Sequence, residues 1–169
     1  MGWLLSRSDV LLERAEPADV VAIRDFGEAH IRDHYAPLIG VEAADAQVRT
    51  WWNDEHLTSA ITGGTVIVAR DRSRVVGVAQ WGRLGADPVI YKLYVHPEFR
   101  GGGLGPQLIA RLIDDLPADA ERVFVEHVAA NERAAAFYER EGFAVERVDQ
   151  HVSGSPALDQ VWRVRALPS

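Results

Sequence analysis

The sequence predicts an α/β domain built round a mixed central sheet. Three observations carry that prediction. Runs rich in β-branched residues fill the middle of the chain, apolar stripes at helical spacing stand before and after them, and a glycine-rich turn joins one run directly to one stripe.

Taken in order, Val10–Arg14 reads as a first strand. Glu16-Pro17-Ala18-Asp19 reads as a helix start, because proline has no amide proton to leave unpaired and acids suit the exposed amides of a first turn. Val20, Ile23, Phe26, Gly27 and Ile31 follow at helical spacing. A second helix is predicted over 42–61, with Val48, Trp51 and Trp52 near its buried side and Gly63-Gly64 closing it. Residues 65–69 and 75–81 are two β-branched runs separated by the charged stretch Arg70-Asp71-Arg72-Ser73-Arg74, which reads as a hairpin. A third run, 89–95, lies between Pro88 and Pro97.

Over 104–116, Leu104, Leu108, Ile109, Leu112, Ile113 and Leu116 form the stripe of a helix packed on a sheet, and Pro117 ends it. A strand over 122–128, a helix over 132–141 stopped by Gly142, and last strands over 143–148 and 160–164 complete the order. No repeat, low-complexity stretch or linker divides residues 1–169, so one domain is expected.

With 169 residues, 47% of them apolar and 25% charged, the chain has the balance of a globular protein. At this length roughly 70% of the unfolded surface can be buried, so no disulfide or metal is needed to hold a core. There is no cysteine, which excludes disulfide scaffolds, cysteine-ligated metal sites and thiol nucleophiles. The formal net charge of -7 disfavours nucleic acid as a partner and suits a cationic one such as an amine, although the same surplus also serves solubility. Lys92 is the only lysine, a pattern read as codon bias. The apolar cluster Trp3, Leu4, Leu5 is too short for a signal-peptide core or a membrane span, so a cytoplasmic protein without membrane contact is expected.

The segment from Tyr94 to Gly105 leaves a predicted strand and opens a predicted helix. A helix N-terminus presents amides without intrahelical partners, and glycines let an anion approach them closely. Arg100 can add a charge-assisted contact. A nucleotide triphosphatase loop needs Gly-Lys-Ser or Gly-Lys-Thr, but Gly105 is followed by Pro106 and Gln107. A dinucleotide fingerprint fails as well, since counting from Gly101 or Gly103 puts Pro106 or Leu108 in the sixth place. A loop that merely turns the chain stays open at this point.

Further on, Asn131 ends a strand and can cap the helix that follows. Tyr138 stands seven residues later, on nearly the same face. Taken alone these are a cap and a core aromatic.

Together the two segments resemble the GCN5-related N-acetyltransferase (GNAT) family. Val95, Pro97, Arg100, Gly103 and Gly105 match its pyrophosphate-loop motif, and Asn131, Ala134, Tyr138, Gly142 and Phe143 match its second motif. The resemblance covers about residues 89–143. It implies a mostly antiparallel mixed sheet flanked by about four helices, with strands splayed at a cleft for acetyl-CoA around Leu93 and Val125. It further implies that main-chain groups of Leu93, Tyr94 and Val95 meet the pantetheine arm. Amides of Arg100, Gly101, Gly102, Gly103, Leu104 and Gly105 would hold the pyrophosphate, Asn131 would bond the pantetheine, and Tyr138 would protonate the departing thiolate.

The implied reaction is direct acetyl transfer to a primary amine of a small molecule or peptide in a ternary complex. The amine must lose a proton first, since an alkyl amine with a pKa of about 10.4 is mostly charged at pH 7. Glu126, at the place of the base in members that acetylate protein N-termini, is the candidate, against the alternative of a strand-end salt bridge. In a regular strand His127 points to the opposite face and is the weaker candidate. A noncatalytic acyl-CoA-binding or sensing module, another acyl donor and an oxygen acceptor are the alternatives, and a monomer or a homodimer fits equally.

His30 and His34 have the spacing of two metal ligands on one helical face, but no third ligand is evident and the resemblance implies no metal. Trp51, Trp52 and Trp81 read as core aromatics. By the resemblance, residues 30–40 and the loop after the second helix wall the acceptor site. His30, His34, Tyr35 and Trp52, with Tyr91 lining the cleft, are the substrate-side candidates.

Overall fold

A computed structural model describes residues 9–168, so the Trp3, Leu4, Leu5 cluster lies outside the described residues. Its seven strands are β1 (Val10–Arg14), β2 (Val66–Asp71), β3 (Arg74–Leu84), β4 (Asp87–Val95), β5 (Arg122–Val128), β6 (Ala144–Asp149) and β7 (Gln160–Ala166). They form one sheet in the order β1-β2-β3-β4-β5-β7-β6. Every neighbouring pair is antiparallel except β4 with β5, which are joined by a helical crossover as parallel strands must be.

Five α-helices are described: α1 (Val20–Ile39), α2 (Val41–Trp51), α3 (Asp54–Thr62), α4 (Leu104–Asp114) and α5 (Glu132–Arg140). The first three cover one face of the sheet and the last two the other. Strand β2 shows why: Val66 and Val68 pack with Ile23, Phe26, Val48 and Leu57, whereas Ile67 and Ala69 pack on the opposite side with Leu104, Leu108 and Leu112. A strand covered on both faces reads as an unbroken apolar run, which is what residues 66–69 are. Each large aliphatic side chain buried in this way contributes about 1.5–3 kcal/mol.

The sheet is mixed and mostly antiparallel as expected, and the helix count differs because the predicted helix over 42–61 is two helices. Asn53 breaks it: its side-chain oxygen accepts the His56 amide at 2.7 Å and caps α3. The break also separates the two tryptophans, so that Trp52 is 4% exposed while Trp51, placed by the sequence on the buried side, is 51% exposed. The first helix runs on through Pro37 to Ile39, where Gly40 at φ 93° ends it and returns its amide to Ala36 at 2.9 Å. The β2–β3 turn is tighter than the charge run suggested, with pairing extending to Asp71 and Arg74.

Candidate active site

Two irregularities in β4 make the site. Gln80 of β3 pairs with Lys92, but the next residue, Trp81, pairs with Ile90, so Tyr91 is an extra residue bulging from the ladder. Pairing between β4 and β5 is limited to Val89 with Phe124 and Ile90 with Val125. From that point the two strands part, and the gap between them opens a cavity of about 440 Å³.

Leu93, Tyr94 and Val95 border the cavity from one side, and Glu126 and His127 from the other. Its end is closed by the loop at Phe99, Arg100, Gly101, Gly103, Leu104 and Gly105, and by Asn131, Ala134 and Tyr138 of the α5 region. Tyr35 and His34 of α1 reach it from the opposite face of the sheet.

The loop is shaped for close approach. Gly103 sits in the left-handed region at φ 85° immediately before α4, a conformation an L side chain rarely adopts. A Cβ on Gly105 would stand 3.1 Å from the Phe137 ring, so this glycine lets α4 meet α5. Arg100 is anchored from Nε to the Val95 carbonyl at 3.2 Å, with its guanidinium 5.0 Å from the Tyr94 ring centroid. Asn131 is buried and its oxygen accepts the Ala134 amide at 3.1 Å, so its amino group is the part left to address a ligand.

Tyr138 is buried, edge-on to Phe143 and Phe137 and stacked with the His127 ring at 6.4 Å. Burial, reinforced by Tyr35, pushes its phenol well above the ordinary tyrosine value, so it remains protonated. Glu126 is half-buried, and burial together with Asp149 raises its carboxyl above the usual carboxylate range, with Arg147 opposing. Among the ion pairs of the described residues none includes Glu126, so the strand-end salt bridge is not formed.

His127 lies across the sheet from Glu126, against Tyr138, and both border the cavity because the gap passes through the sheet. Arg163 Nε donates to His127 Nε2 at 3.0 Å, and the Nδ1 proton goes to the Val128 carbonyl at 2.9 Å. With both nitrogens engaged, the ring is held neutral, and burial and Arg163 push its pKa down. It has no lone pair left for a substrate proton.

Comparison with known proteins then decides the family. Residues 62–145 match the acetyltransferase (GNAT) domain. The chain is 28% identical over 137 residues to L-amino acid N-acyltransferase MnaT of Escherichia coli, covering 78% of this chain and 77% of that one. The chain belongs to the GNAT acetyltransferase family. Its fold superposes on the PaiA N-acetyltransferase of Thermoplasma acidophilum in complex with coenzyme A with a TM-score of 0.79, at 16% identity, over 94% of this chain and 99% of that one. A Salmonella typhimurium protein solved with its cofactor acetyl-CoA gives a TM-score of 0.70 at 22% identity, with 95% of each chain covered.

As a GNAT member the chain is an acyltransferase. Among the described residues no helix is long and apolar enough to cross a membrane, and no group of three His, Cys, Asp or Glu side chains is placed to hold a metal ion. The GNAT cavity gathers most of the residues singled out in the sequence. Gly102 is exposed and is not among the lining residues, unlike Gly101 and Gly103 on either side.

The substrate-side candidates divide. Tyr35 and His34 line the cavity, and burial followed by the charges of Arg100 and Arg133 takes His34 down to about 4. His30 lies in an adjoining cavity of about 330 Å³, 4.6 Å from the His96 ring, where burial, then His96, Arg100 and Arg74, lower its pKa. Trp52 packs in the core against α1 and does not line the cavity. Tyr91 is outside it too, 45% exposed, its hydroxyl donating to the Arg83 carbonyl at 3.3 Å.

Three contributors escaped the sequence reading. The bulge at Tyr91 had one visible signal, Gly82 on the facing strand, where a Cβ would stand 2.7 Å from the Tyr91 ring. Arg163 was hidden in a predicted strand without a reason to be singled out. Arg133, which faces the cavity, sits inside the second motif at a position the motif does not specify.

Proposed function

We propose that this chain binds acetyl-CoA in the gap between β4 and β5 and transfers the acetyl group directly to a primary amine, with both substrates bound at once. The observation that carries the reading is one continuous cavity with the glycine turn at its end, a raised carboxyl and a buried phenol on its walls, and open strand edges along its length.

The residues fit that substrate. Strand β4 has no β5 partner beyond Ile90, so main-chain groups of Leu93, Tyr94 and Val95 can pair with the pantetheine amides. Leu104 and Gly105 open α4, where amides and the positive end of the helix dipole meet the pyrophosphate, with Arg100 beside them. Asn131 offers its amino group to the pantetheine. Glu126 takes a proton from the incoming ammonium; its raised carboxyl is a stronger base than an exposed glutamate. The neutral amine attacks the thioester carbonyl, the carbon–sulfur bond breaks, Tyr138 gives its proton to the leaving sulfur, and the proton that the nitrogen sheds as the amide forms restores the phenol.

The acceptor we favour is an L-amino acid or a similarly small amine, supported by the function named for the Escherichia coli relative. Residues 1–169 are then one acetyltransferase domain. Initial rates of thiol release, measured while varying acetyl-CoA and an L-amino acid panel, test this. Intersecting double-reciprocal lines are expected for a ternary complex, and parallel lines would exclude direct transfer.

A further inference from the structure

Lys92, the chain's only lysine, has no role in the reaction above, yet it is 7% exposed on the face covered by α1 to α3. Its Nζ donates to Gln80 Oε1 at 2.7 Å and lies 5.2 Å from the centroid of a Trp52 ring, while Gln80 Nε2 meets His56 Nε2 at 3.3 Å. No carboxylate belongs to this described cluster. Burying a cation beside neutral partners costs stability, and burial takes the amine down to about 7. A methionine would fill the space without that cost, so the lysine calls for a reason in its position.

The position is informative. Gln80 with Lys92 is the last regular β3–β4 pair before the register shift, Tyr91 is the extra residue, and Ile90 is the last residue of β4 paired with β5. The buried bond therefore ties β4 to β3 at the point where β4 leaves β5. We propose that the Lys92–Gln80 bond clamps the β4 bulge and so holds the cleft open, making Lys92 a positioning residue for acyl transfer. Without the clamp, β4 slides toward regular pairing and the backbone of Leu93 moves relative to the thioester.

The test compares Lys92→Met, Gln80→Leu, the double variant and Gln80→Glu, which keeps an acceptor for the ammonium. Deuterium uptake over residues 87–95 is expected to rise in both single variants and to stay at the wild-type level in Gln80→Glu. Uptake unchanged in the single variants overturns the clamp whether or not the protein has activity. The kinetic arm rests on the acetyl-transfer reading. Each single variant should lose about tenfold or more in kcat, with the acetyl-CoA KM within about threefold, because the pyrophosphate loop is untouched. The double variant should lose no more than the worse single one, since both break the same bond. Multiplying losses, or Gln80→Glu as impaired as Gln80→Leu, overturn the proposal. Should Lys92→Met fail to fold, the two Gln80 variants decide alone. Wild-type protein that turns over no amine yet shows the uptake pattern would sink the transfer reading and leave the clamp standing.

Discussion

Arg163 holds the Nε2 lone pair of His127 from behind at 3.0 Å, on the side of the sheet where the His127 ring stacks with Tyr138. Burial, with the Arg163 charge adding to it, thus keeps the imidazole neutral, the Arg163 contact fixes its tautomer, and Glu126 is left as the titrating group on the β5 side of the cavity.

The pH dependence follows from that pairing. A base must be deprotonated to act, so kcat/KM falls as pH drops through the Glu126 pKa, which burial and Asp149 place above the usual carboxylate range. Glu126→Gln should remove this limb and cost about 100-fold or more at pH 7, in line with the usual contribution of a general base. His127→Asn should keep the limb. A limb that survives in Glu126→Gln would assign the base elsewhere.

Tyr138→Phe retains the ring contacts with Phe137 and Phe143 and removes only the hydroxyl. Turnover should fall by about 100-fold or more while the acetyl-CoA Kd stays within about threefold. Equal turnover by stopped-flow thiol release would take the phenol out of the mechanism.

Gly27 inverts the usual effect of alanine in a helix. At an unconstrained helix interior, Gly→Ala stabilises by about 0.5–1 kcal/mol. At position 27 the new Cβ would stand 2.4 Å from Trp52 Cε3, and overpacking of this kind costs about 1–3 kcal/mol. The clash wins, so Gly27→Ala should lower Tm by several degrees in calorimetry. A raised Tm would mean that Trp52 moves aside freely.

Much of this architecture was legible from side-chain pattern alone. The unbroken apolar run of β2, the stripe from Leu104 to Leu112 and the Asn131 cap all report local burial or local hydrogen bonding, which a sequence expresses directly. The helix break at Asn53 carried a start signal, Asn-Asp-Glu, that sat inside a longer apolar pattern and was absorbed by it. The bulge at Tyr91 and the burial of Lys92 were not legible. Both depend on how β3 meets β4 across the sheet, and a lysine at a strand centre looks like a solvent-facing residue until its partner Gln80 is placed. Tyr35, a substrate-side candidate by the family resemblance, reaches the cavity through the packing of α1 across the open gap.

The loop supplies a further prediction. Gly103 at φ 85° has no atom within 4 Å of an added Cβ, so alanine meets backbone strain and no steric neighbour. That strain is about 1–2 kcal/mol. If the free loop of Gly103→Ala relaxes out of the left-handed turn and acetyl-CoA requires that turn, the strain is met on binding, which should weaken by about tenfold while Tm changes little. Unchanged affinity would show that the turn can be remade without a glycine.

Acetyl transfer by this chain requires the gap between β4 and β5 to be the acetyl-CoA site, and calorimetric titration of the purified protein with acetyl-CoA addresses it most directly. Saturable binding of one equivalent, lost when Gly103 or Gly105 is replaced by valine, is the predicted result. No heat of binding together with no thermal stabilisation by acetyl-CoA would contradict the account.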